Sequence, residues 1–414
     1  MIEAKLLFML VISFFGVYLN VWFLLLYFEN KSKIRHTPPI KRYPSISIIV
    51  PAYNEAKHIG NCLKSILNLD YPKNKLDVTV VVNATTDGTQ DIVKGFNRVK
   101  LIDLKEAGKA NALNVGIGQA KGELVGVLDA DSFVYKDCLK KMVGYFADPK
   151  IAATTTYIKT PKPKGFWEKV QNIEYVTGGL FKKIASFVDS LYIVPGTMSL
   201  IRKDIVKEIG GFTDETLTED IDLTFSMIKK GYKIVTCLDA KVETDIPPNL
   251  RGLIKQRVRW YRGFLENTVK HRGVLFNRKY PHLGSFVIPF VCYFGIVVQL
   301  AMVSFLLINV AVSNFLFLKT SFYIPIQTQI AMQIQGATNL YSYLMTPYYL
   351  IGFGAAFIIS IYTLKIVFAE MKEKLGTKQN IILIPFYIVG YYLLIITFWI
   401  LSIFFEVFKR KRSW

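Results

Sequence analysis

The stretch that decides the fold is Leu124-Val125-Gly126-Val127-Leu128-Asp129-Ala130-Asp131, a short apolar run that ends in two carboxylates. The run predicts a buried β-strand over residues 124–128. Two carboxylates that flank one small residue at a strand end can hold a hard divalent cation while that cation binds a diphosphate. An Asp-x-Asp pair on its own is more often a loop. The buried strand that delivers this pair favours the functional interpretation.

Strand patterns alternate with helical patterns around this stretch. The predicted strands cover residues 45–50, 77–82, 99–104, 124–128 and 233–237. The predicted helices cover the segment that ends at residue 69 and residues 109–119. Such alternation predicts an α/β fold with a doubly wound, mostly parallel sheet.

Polar residues stand where the predicted strands end. They are Tyr53 and Glu55 after the first strand, Asn83 and Asp87 after the second, and Asp129 and Asp131 after the fourth. In doubly wound sheets, ligands bind outside the carboxyl ends of the strands. The three clusters together therefore predict one binding site at this edge of the sheet.

A lysine marks the start of the predicted helix over residues 109–119. Lys109 follows Gly108 there, and the dipole at a helix N-terminus favours anions, so Lys109 could reach a phosphate. The alternative interpretation is a solvated surface lysine. The sequence leaves both open.

A second important stretch combines Gly210-Gly211-Phe212 with Thr218-Glu219-Asp220-Ile221-Asp222. The glycines predict a tight turn, and Thr218 predicts a helix N-cap that is followed by acids in the first turn. Alone, this pattern indicates only a well-capped amphipathic helix. The Asp-x-Asp pair before it and a basic aromatic motif after it distinguish Asp220.

The basic aromatic motif is Gln256-Arg257-Val258-Arg259-Trp260, in a helix that starts after Pro247-Pro248-Asn249. Gln256, Arg259 and Trp260 share one helical face through their i, i+3 and i+4 spacing. An amide, a guanidinium and an indole on one face suit a sugar diphosphate. The alternative is an interfacial basic helix with a tryptophan at the membrane surface. An amphipathic helix predicted over residues 166–187 lies at the membrane interface or covers the sheet.

Composition and charge indicate a membrane protein. The chain has 414 residues, is 52% hydrophobic and carries a formal net charge of +20. Residues 6–28 are uncharged over a length that suits a bilayer span. Basic residues follow this segment, which places the central domain in the cytoplasm under the positive-inside rule. They are Lys31, Lys33, Arg35, Lys41 and Arg42. These flanks explain the positive charge without a nucleic-acid partner.

The C-terminal third predicts at least three further spans. Residues 283–318, 341–364 and 381–405 are apolar and uncharged, whereas four glutamines make residues 320–340 only weakly apolar. The number of spans decides the side of Lys409-Arg410-Lys411-Arg412 and stays open. The four cysteines are scattered and support neither a zinc site nor a disulfide framework.

The predicted organisation has five parts. Residues 1–30 form an N-terminal transmembrane helix, 31–44 a basic linker, 45–245 the α/β domain, 246–282 basic interfacial helices, and 283–414 a transmembrane region.

Taken together, the motifs resemble the family-2 inverting glycosyltransferases of GT-A fold, and more narrowly the membrane-embedded branch with hyaluronan, chitin and cellulose synthases. The matching segments occur in the family's order within residues 45–275. They are Val50-Pro51-Ala52-Tyr53-Asn54-Glu55, Thr86-Asp87-Gly88-Thr89, Gly108-Lys109-Ala110-Asn111-Ala112-Leu113, Asp129-Ala130-Asp131, Gly210-Gly211-Phe212, Thr218-Glu219-Asp220 and Gln256-Arg257-Val258-Arg259-Trp260.

The resemblance implies a role for each of these residues. Those implied to bind the nucleotide-sugar are Ala52, Tyr53, Glu55, Asn83, Asp87, Lys109 and Asp129. Asp131 would bind the metal, Mg²⁺ or Mn²⁺, and Asp220 would be the catalytic base beside Glu219. The residues implied for the diphosphate and the acceptor are Thr218, Gln256, Arg257, Arg259 and Trp260. Val82-Asn83 stand where the family often has paired aspartates, so the nucleotide base, normally uridine, stays open.

The resemblance implies a membrane enzyme that transfers a sugar from a nucleotide-diphosphate sugar, such as a UDP-sugar, to a growing polysaccharide. Whether transfer is coupled to export stays open. A second interpretation is a single-addition glycolipid synthase that acts on a ceramide or polyprenyl-phosphate acceptor. A third is a membrane protein that keeps the fold without catalysis. The third is the weakest, because every position with a chemical role is filled.

Overall fold

A computed structural model describes residues 2–320, 324–328, 330–331, 334–335, 347–373 and 380–408. The described residues fall into two compact units. One unit draws on residues 1–28 and 286–366, and the other on residues 29–285 and 367–414. The second unit holds the sheet and every motif named above.

The second unit is built on one eight-stranded mixed sheet with the strand order β3-β2-β1-β4-β7-β6-β8-β5. The strands are β1 (Ile46–Ala52), β2 (Leu76–Asn83), β3 (Lys100–Leu104), β4 (Leu124–Leu128), β5 (Ser132–Val134), β6 (Ile151–Lys159), β7 (Thr197–Arg202) and β8 (Lys233–Thr244). Strand β7 runs antiparallel to β4 and β6, and β5 runs antiparallel to β8. The other pairs are parallel, so β1 to β4 end at one edge.

Helices follow most of the strands and continue to the end of the described chain. They are α1 (Ile2–Asn30), α2 (Ile59–Leu67), α3 (Thr89–Lys94), α4 (Lys109–Gln119), α5 (Cys138–Val143), α6 (Phe166–Phe187), α7 (Lys203–Glu208), α8 (Glu219–Lys229), α9 (Leu250–Lys270), α10 (Gly295–Thr320), α11 (Pro347–Met371), α12 (Asn380–Pro385) and α13 (Tyr391–Val407). Leu283–Phe294 and Phe386–Gly390 are π-helical.

The core lies on both faces of the sheet, as expected for parallel strands that helices cover on both sides. All residues of β1 and β4 are buried. Ile48 and Val50 belong to one hydrophobic cluster with Cys62 and Leu63 of α2. The apolar composition of these strands follows from this two-sided burial.

The α/β class and the first four strands are confirmed. The predicted strand over residues 233–237 is the first part of the longer β8. Strands β5, β6 and β7 were not predicted, and β6 shows why. It contains Thr154, Thr155 and Thr156, all buried, which break the apolar pattern of a core strand. The Thr156 hydroxyl donates to the carbonyls of Thr197 and Met198 at 3.1 Å. The hydroxyl groups of Thr155 and Thr156 thus have partners that only the folded sheet supplies.

Helix α13 packs along α9 within the same unit. The Ser402 hydroxyl donates to the Val258 carbonyl at 3.3 Å, and the rings of Tyr261 and Trp399 lie 4.5 Å apart. An ion pair joins Arg262 to Glu406 at 3.2 Å. The last described helix therefore contacts the helix that carries the basic aromatic motif.

Within the part of the chain that the structure describes, two helical segments are long and apolar enough to cross a membrane, Gly354–Met371 and Ile382–Val407. Helix α1 contains the first predicted span. Residues 341–346 of a predicted span, much of the weakly apolar segment 320–340, and the basic cluster at 409–412 lie outside the described residues.

Candidate active site

The predicted binding edge is formed by the ends of β1, β2 and β4. Asn83 is the last residue of β2 and is buried. With its amide oriented to satisfy both partners, it donates to the Ala52 carbonyl at 2.8 Å and accepts from the Gly108 N–H at 3.0 Å. Asn83 therefore fixes the end of β1 against the loop that begins α4.

The loop after β1 is tied to the loop after β2 through Asp87. The Asp87 carboxylate accepts from the Ala56 N–H at 2.9 Å and from the Thr89 N–H at 3.1 Å. The Glu55 N–H in turn donates to the Thr89 hydroxyl at 2.9 Å. Tyr53 is 56% exposed, so part of its side chain is accessible to a ligand.

Lys109 links the Asp-x-Asp stretch to the start of α8. Its ammonium Nζ lies 2.7 Å from Oδ1 of Asp129 and 3.1 Å from Oε1 of Glu219. Burial works against the charged ammonium, but the two carboxylates dominate and raise the pKa of Lys109. The surface-lysine interpretation of Lys109 does not match these contacts.

Gly196, in the loop before β7, lies directly against this ion pair. A Cβ at position 196 would come within 2.8 Å of both Asp129 carboxylate oxygens and 3.0 Å of the Lys109 ammonium. The carbonyl of Gly196 also accepts from the Asp129 N–H at 2.9 Å. No sequence pattern distinguished Gly196 for this role, which only the packing shows.

Asp131 lies next to the ion pair and has an oxygen-rich environment. Its Oδ1 accepts from the Ser132 hydroxyl at 3.2 Å and from the Thr244 hydroxyl at 3.4 Å. Burial, followed by the nearby carboxylates of Asp129 and Glu55, raises the pKa of Asp131 to about 6. Carboxylates that repel one another in this way suit a hard divalent cation. Among the described residues, no three His, Cys, Asp or Glu side chains form a ready-made metal cluster.

Asp220 lies in the first turn of α8, where the helix dipole favours negative charge. Burial and the adjacent Glu219 carboxylate nevertheless raise the pKa of Asp220 to about 7, while Lys109 and Arg259 act in the opposite direction. A carboxyl group in this range can take up a proton near neutral pH. The structure thus brings Asp220, Glu219, Lys109, Asp129 and Arg259 into one cluster.

Thr218 occupies the predicted N-cap position, but its hydroxyl does not cap the helix. The buried Asn267 of α9 instead donates to the hydroxyl at 3.0 Å and to the Thr218 carbonyl at 3.2 Å. A Cβ at Gly263 would come within 2.3 Å of this hydroxyl. The close approach of α9 therefore replaces the expected cap.

A second contact joins α8 to the end of α9. His271 Nε2 lies 2.7 Å from Asp222 Oδ1, and the Lys270 ammonium lies 2.9 Å from Asp222 Oδ2. Burial would raise the pKa of Asp222, but hydrogen bonds from His271, Thr213 and Lys270 together lower it to about 2. Two contacts therefore hold the start of α8 against α9, one at Thr218 and one at Asp222.

Helix α9 carries the basic aromatic motif, and the two arginines of the motif differ in their burial. Arg257, not Arg259, is buried, with 2% of its surface exposed. It pairs with Glu174 of α6 and lies over the Trp260 ring at 4.2 Å. Gln256 accepts from the Arg257 guanidinium at 2.6 Å. Arg259 is partly exposed and acts electrostatically on Asp220.

Sequence reasoning missed two charged residues of α6. Glu174 is the ion-pair partner of Arg257, and Lys182 is close enough to Asp220 and Glu174 to be affected by their charge. Burial lowers the pKa of Lys182 to about 8. Both stood in the sequence as polar positions of an amphipathic helix, and no spacing signal distinguished them.

Comparisons with known proteins identify the family of the chain. Residues 44–263, more than half of the chain, match the family described as "Glycosyltransferase like family 2". The chain belongs to this family and is a glycosyltransferase. The expected fold family and enzyme class are therefore confirmed.

Particular relatives carry more specific names. The poly-β-1,6-N-acetyl-D-glucosamine synthase of Staphylococcus epidermidis is 30% identical over 286 residues, 67% of this chain and 68% of the relative. The synthase of the same name from Staphylococcus aureus is 30% identical over 266 residues, 60% of this chain and 64% of the relative.

A solved structure shares the fold. The mannosyltransferase PcManGT from Pyrobaculum calidifontis, solved in complex with GDP-Man and Mn²⁺, aligns with a TM-score of 0.57. The alignment covers 86% of this chain and 99% of that chain at 22% identity. At this identity the likeness concerns the fold.

Replacing Gly196 tests the ion pair between Lys109 and Asp129. In Gly196→Ala, the new methyl group forces the Asp129 carboxylate away from Lys109, so we expect turnover to fall about tenfold, the equivalent of ~1.4 kcal/mol. Thermal unfolding should change little, because the strain is relieved by side-chain rotation. The matched control is Gly178→Ala on α6, where no atom lies within 4 Å of the added Cβ. Parental turnover in Gly196→Ala would contradict the importance of this contact.

Proposed function

We propose that this glycosyltransferase adds N-acetylglucosamine from a uridine-diphosphate donor to a growing polysaccharide, with inversion at the anomeric carbon. The observation that carries the proposal is the match to poly-β-1,6-N-acetyl-D-glucosamine synthases at 30% identity over two thirds of the chain. The uridine base is supported by the resemblance of the motifs to a family that normally uses it.

The proposed donor site uses the strand ends. The exposed Tyr53 ring would stack on the nucleotide base, next to the main chain of Ala52. Asn83, Asp87 and Glu55 would shape the pocket wall through the loop contacts described above. Asp129 and Lys109 would contact the sugar and phosphate portions, since they lie between the strand ends and α8.

A divalent cation is proposed at Asp131. The environment of Asp131 suits Mg²⁺ or Mn²⁺, because burial and the nearby carboxylates of Asp129 and Glu55 raise its pKa, and a hard cation bound by oxygen would relieve both effects. When bound, such a cation supplies charge neutralisation for a diphosphate. The remaining ligands would come from the donor and from water, as is usual for Mg²⁺.

Asp220 is the proposed general base, with Glu219 beside it. It would take the proton from an acceptor hydroxyl whose oxygen forms a bond to the anomeric carbon, as the bond from that carbon to the diphosphate breaks. Attack opposite the leaving group gives inversion. A base with a raised pKa suits this role, because it can bind the proton that it removes.

The basic aromatic motif is proposed to bind the diphosphate and the acceptor. Arg259 is the arginine that acts on Asp220 and has exposed surface, so it would stabilise charge on the leaving diphosphate with Gln256 and Thr218 nearby. Trp260 would offer an apolar ring to the acceptor sugar. Arg257 is buried against Glu174, so we propose that it holds Gln256 and Trp260 in place and does not contact the diphosphate itself.

We propose an integral protein of the cell membrane with the catalytic domain in the cytoplasm. One N-terminal and at least three C-terminal helices would span the bilayer. Support comes from the two long apolar segments and from the basic residues that follow α1. The five-part division into residues 1–30, 31–44, 45–245, 246–282 and 283–414 is proposed on the same grounds.

A donor panel tests this function. The purified protein in lipid nanodiscs is incubated with labelled UDP-N-acetylglucosamine, UDP-glucose and GDP-mannose, and product size is read on a gel. We expect polymer from UDP-N-acetylglucosamine, complete loss in excess EDTA, and recovery with Mg²⁺ or Mn²⁺. One sugar on a lipid would support the glycolipid alternative. No transfer from any donor would overturn the proposal.

Replacing the proposed base is the second test. In Asp220→Asn we expect transfer to fall by about 10²–10⁴-fold while UDP binding is kept, because an amide cannot accept the proton. Asp91→Asn is the control, since Asp91 is an exposed carboxylate in a surface ion pair on α3. Transfer in Asp220→Asn within a few-fold of the parent would remove Asp220 from the role.

A further inference from the structure

One carboxylate oxygen joins three helices at the basic aromatic motif. Glu174 Oε2, on α6, accepts a hydrogen bond from the Arg257 guanidinium of α9. The same oxygen accepts from the Tyr391 hydroxyl at 2.7 Å. Tyr391 is the first residue of α13, the long apolar helix near the end of the chain.

The guanidinium held by this oxygen organises its own neighbours in the motif. Arg257 donates to Gln256 Oε1 at 2.6 Å and lies over the Trp260 ring at 4.2 Å. Within the described residues, Glu174 is the carboxylate that forms an ion pair with this buried arginine. The Arg257 Nε has no hydrogen-bond partner there, so the contacts of the other two nitrogens hold the group in place.

We infer that Glu174 is a positioning residue for sugar transfer: it fixes Arg257, and through Arg257 the Gln256 amide and the Trp260 ring. This inference rests on the proposed role of the motif in binding the diphosphate and acceptor. In this inference, α6 and the start of α13 contribute to catalysis by holding the basic aromatic motif in place. The side chain of Glu174 itself contacts neither donor nor acceptor in this account.

The physical reason lies in the cost of an unpaired buried charge. Without the Glu174 carboxylate, a guanidinium that is 2% exposed keeps its charge but loses its counter-ion. It must then turn toward solvent or toward another acid, and either movement withdraws it from Trp260 and Gln256. The strand-end residues proposed to bind the nucleotide take no part in this ion pair.

A positioning role and a purely structural role predict different kinetics. Loss of positioning lowers kcat and leaves nucleotide affinity unchanged, since the groups proposed for the nucleotide stay in place. A purely structural role lowers the folded fraction and the melting temperature, with normal kcat per folded molecule. A second contact between α6 and the C-terminal region, from Thr177 to Tyr387 at 2.9 Å, does not involve Glu174 and should help the variants to fold.

The test is a double-mutant cycle on the full-length protein in nanodiscs, with UDP-N-acetylglucosamine as donor. The variants are Glu174→Gln, Arg257→Gln and the double variant, with Tyr391→Phe as a milder change. We expect Glu174→Gln and Arg257→Gln each to lower kcat about tenfold or more. The kcat of the double variant should be no lower than that of the less active single variant, because both changes break the same contact. UDP affinity should stay within about threefold, and Tyr391→Phe should lose about two- to fivefold in kcat.

The matched control is Glu406→Gln. Glu406 also pairs with an arginine of α9, Arg262 at 3.2 Å, but outside the motif. We expect its kcat to stay within about twofold of the parent. This control separates a general effect of loosening α13 from a specific effect on the motif.

Two results would overturn the inference. One is a parental kcat in Glu174→Gln. The other is a double variant whose loss of kcat equals the product of the two single losses, which would show that the two residues act independently. If Glu174→Gln does not fold, parental kcat in Tyr391→Phe would overturn it. Failure of the proposed function would look different, because the parent itself would make no product from UDP-N-acetylglucosamine. The same cycle can then be run with whichever donor of the panel the parent uses.

Discussion

The ammonium group of Lys109 is the contact on which the rest of the site depends. It lies between Asp129, at the end of a buried strand, and Glu219, at the start of α8, with Asp220 next to it. Two unit charges 4 Å apart interact by roughly 4 kcal/mol at an effective dielectric constant of 20. The ammonium ion of Lys109 offsets repulsion of this size among the carboxylates of Asp129, Glu219 and Asp220. Lys109 therefore joins the nucleotide edge of the sheet to the proposed catalytic helix.

Hydrogen bonds and ion pairs hold α8 against α9, although a long strand separates the two helices in the sequence. Asn267 holds the residue before α8, and Asp222 anchors the first turn of α8 to Lys270 and His271. Helix α9 therefore fixes the position of Asp220 while it carries the basic aromatic motif. The proposed base and the proposed diphosphate-binding residues are thus held by one helix, which favours a constant distance between them.

Much of the site could be predicted because local patterns encode it. The apolar runs of β1, β2 and β4 have a strand pattern, and parallel strands bring Asn83 and Asp129 to one edge. The turn before α8 and the start of that helix at Glu219 were also predictable from local residue types.

The remaining features depend on tertiary contacts. In β6, the hydroxyl groups of Thr155 and Thr156 find hydrogen-bond partners only in the neighbouring strands. The Thr218 hydroxyl accepts from Asn267 of α9 and does not cap α8. Arg257 and Arg259 are two residues apart in one motif and were predicted to act alike. In the structure, Arg257 is buried against Glu174, whereas Arg259 acts on Asp220. This difference depends on the position of α6, which the motif does not encode.

The most direct test of the charge cluster is the dependence of kcat/KM on pH, since this ratio reports the ionisation of groups in the free enzyme. Burial and Glu219 raise the pKa of Asp220, and a base must be deprotonated to act. We therefore expect kcat/KM to fall as the pH drops through about 7, where Asp220 becomes protonated. A value that stays constant down to about pH 5 would show a base with an ordinary carboxyl pKa. That result would contradict the arrangement of Asp220 among these charges.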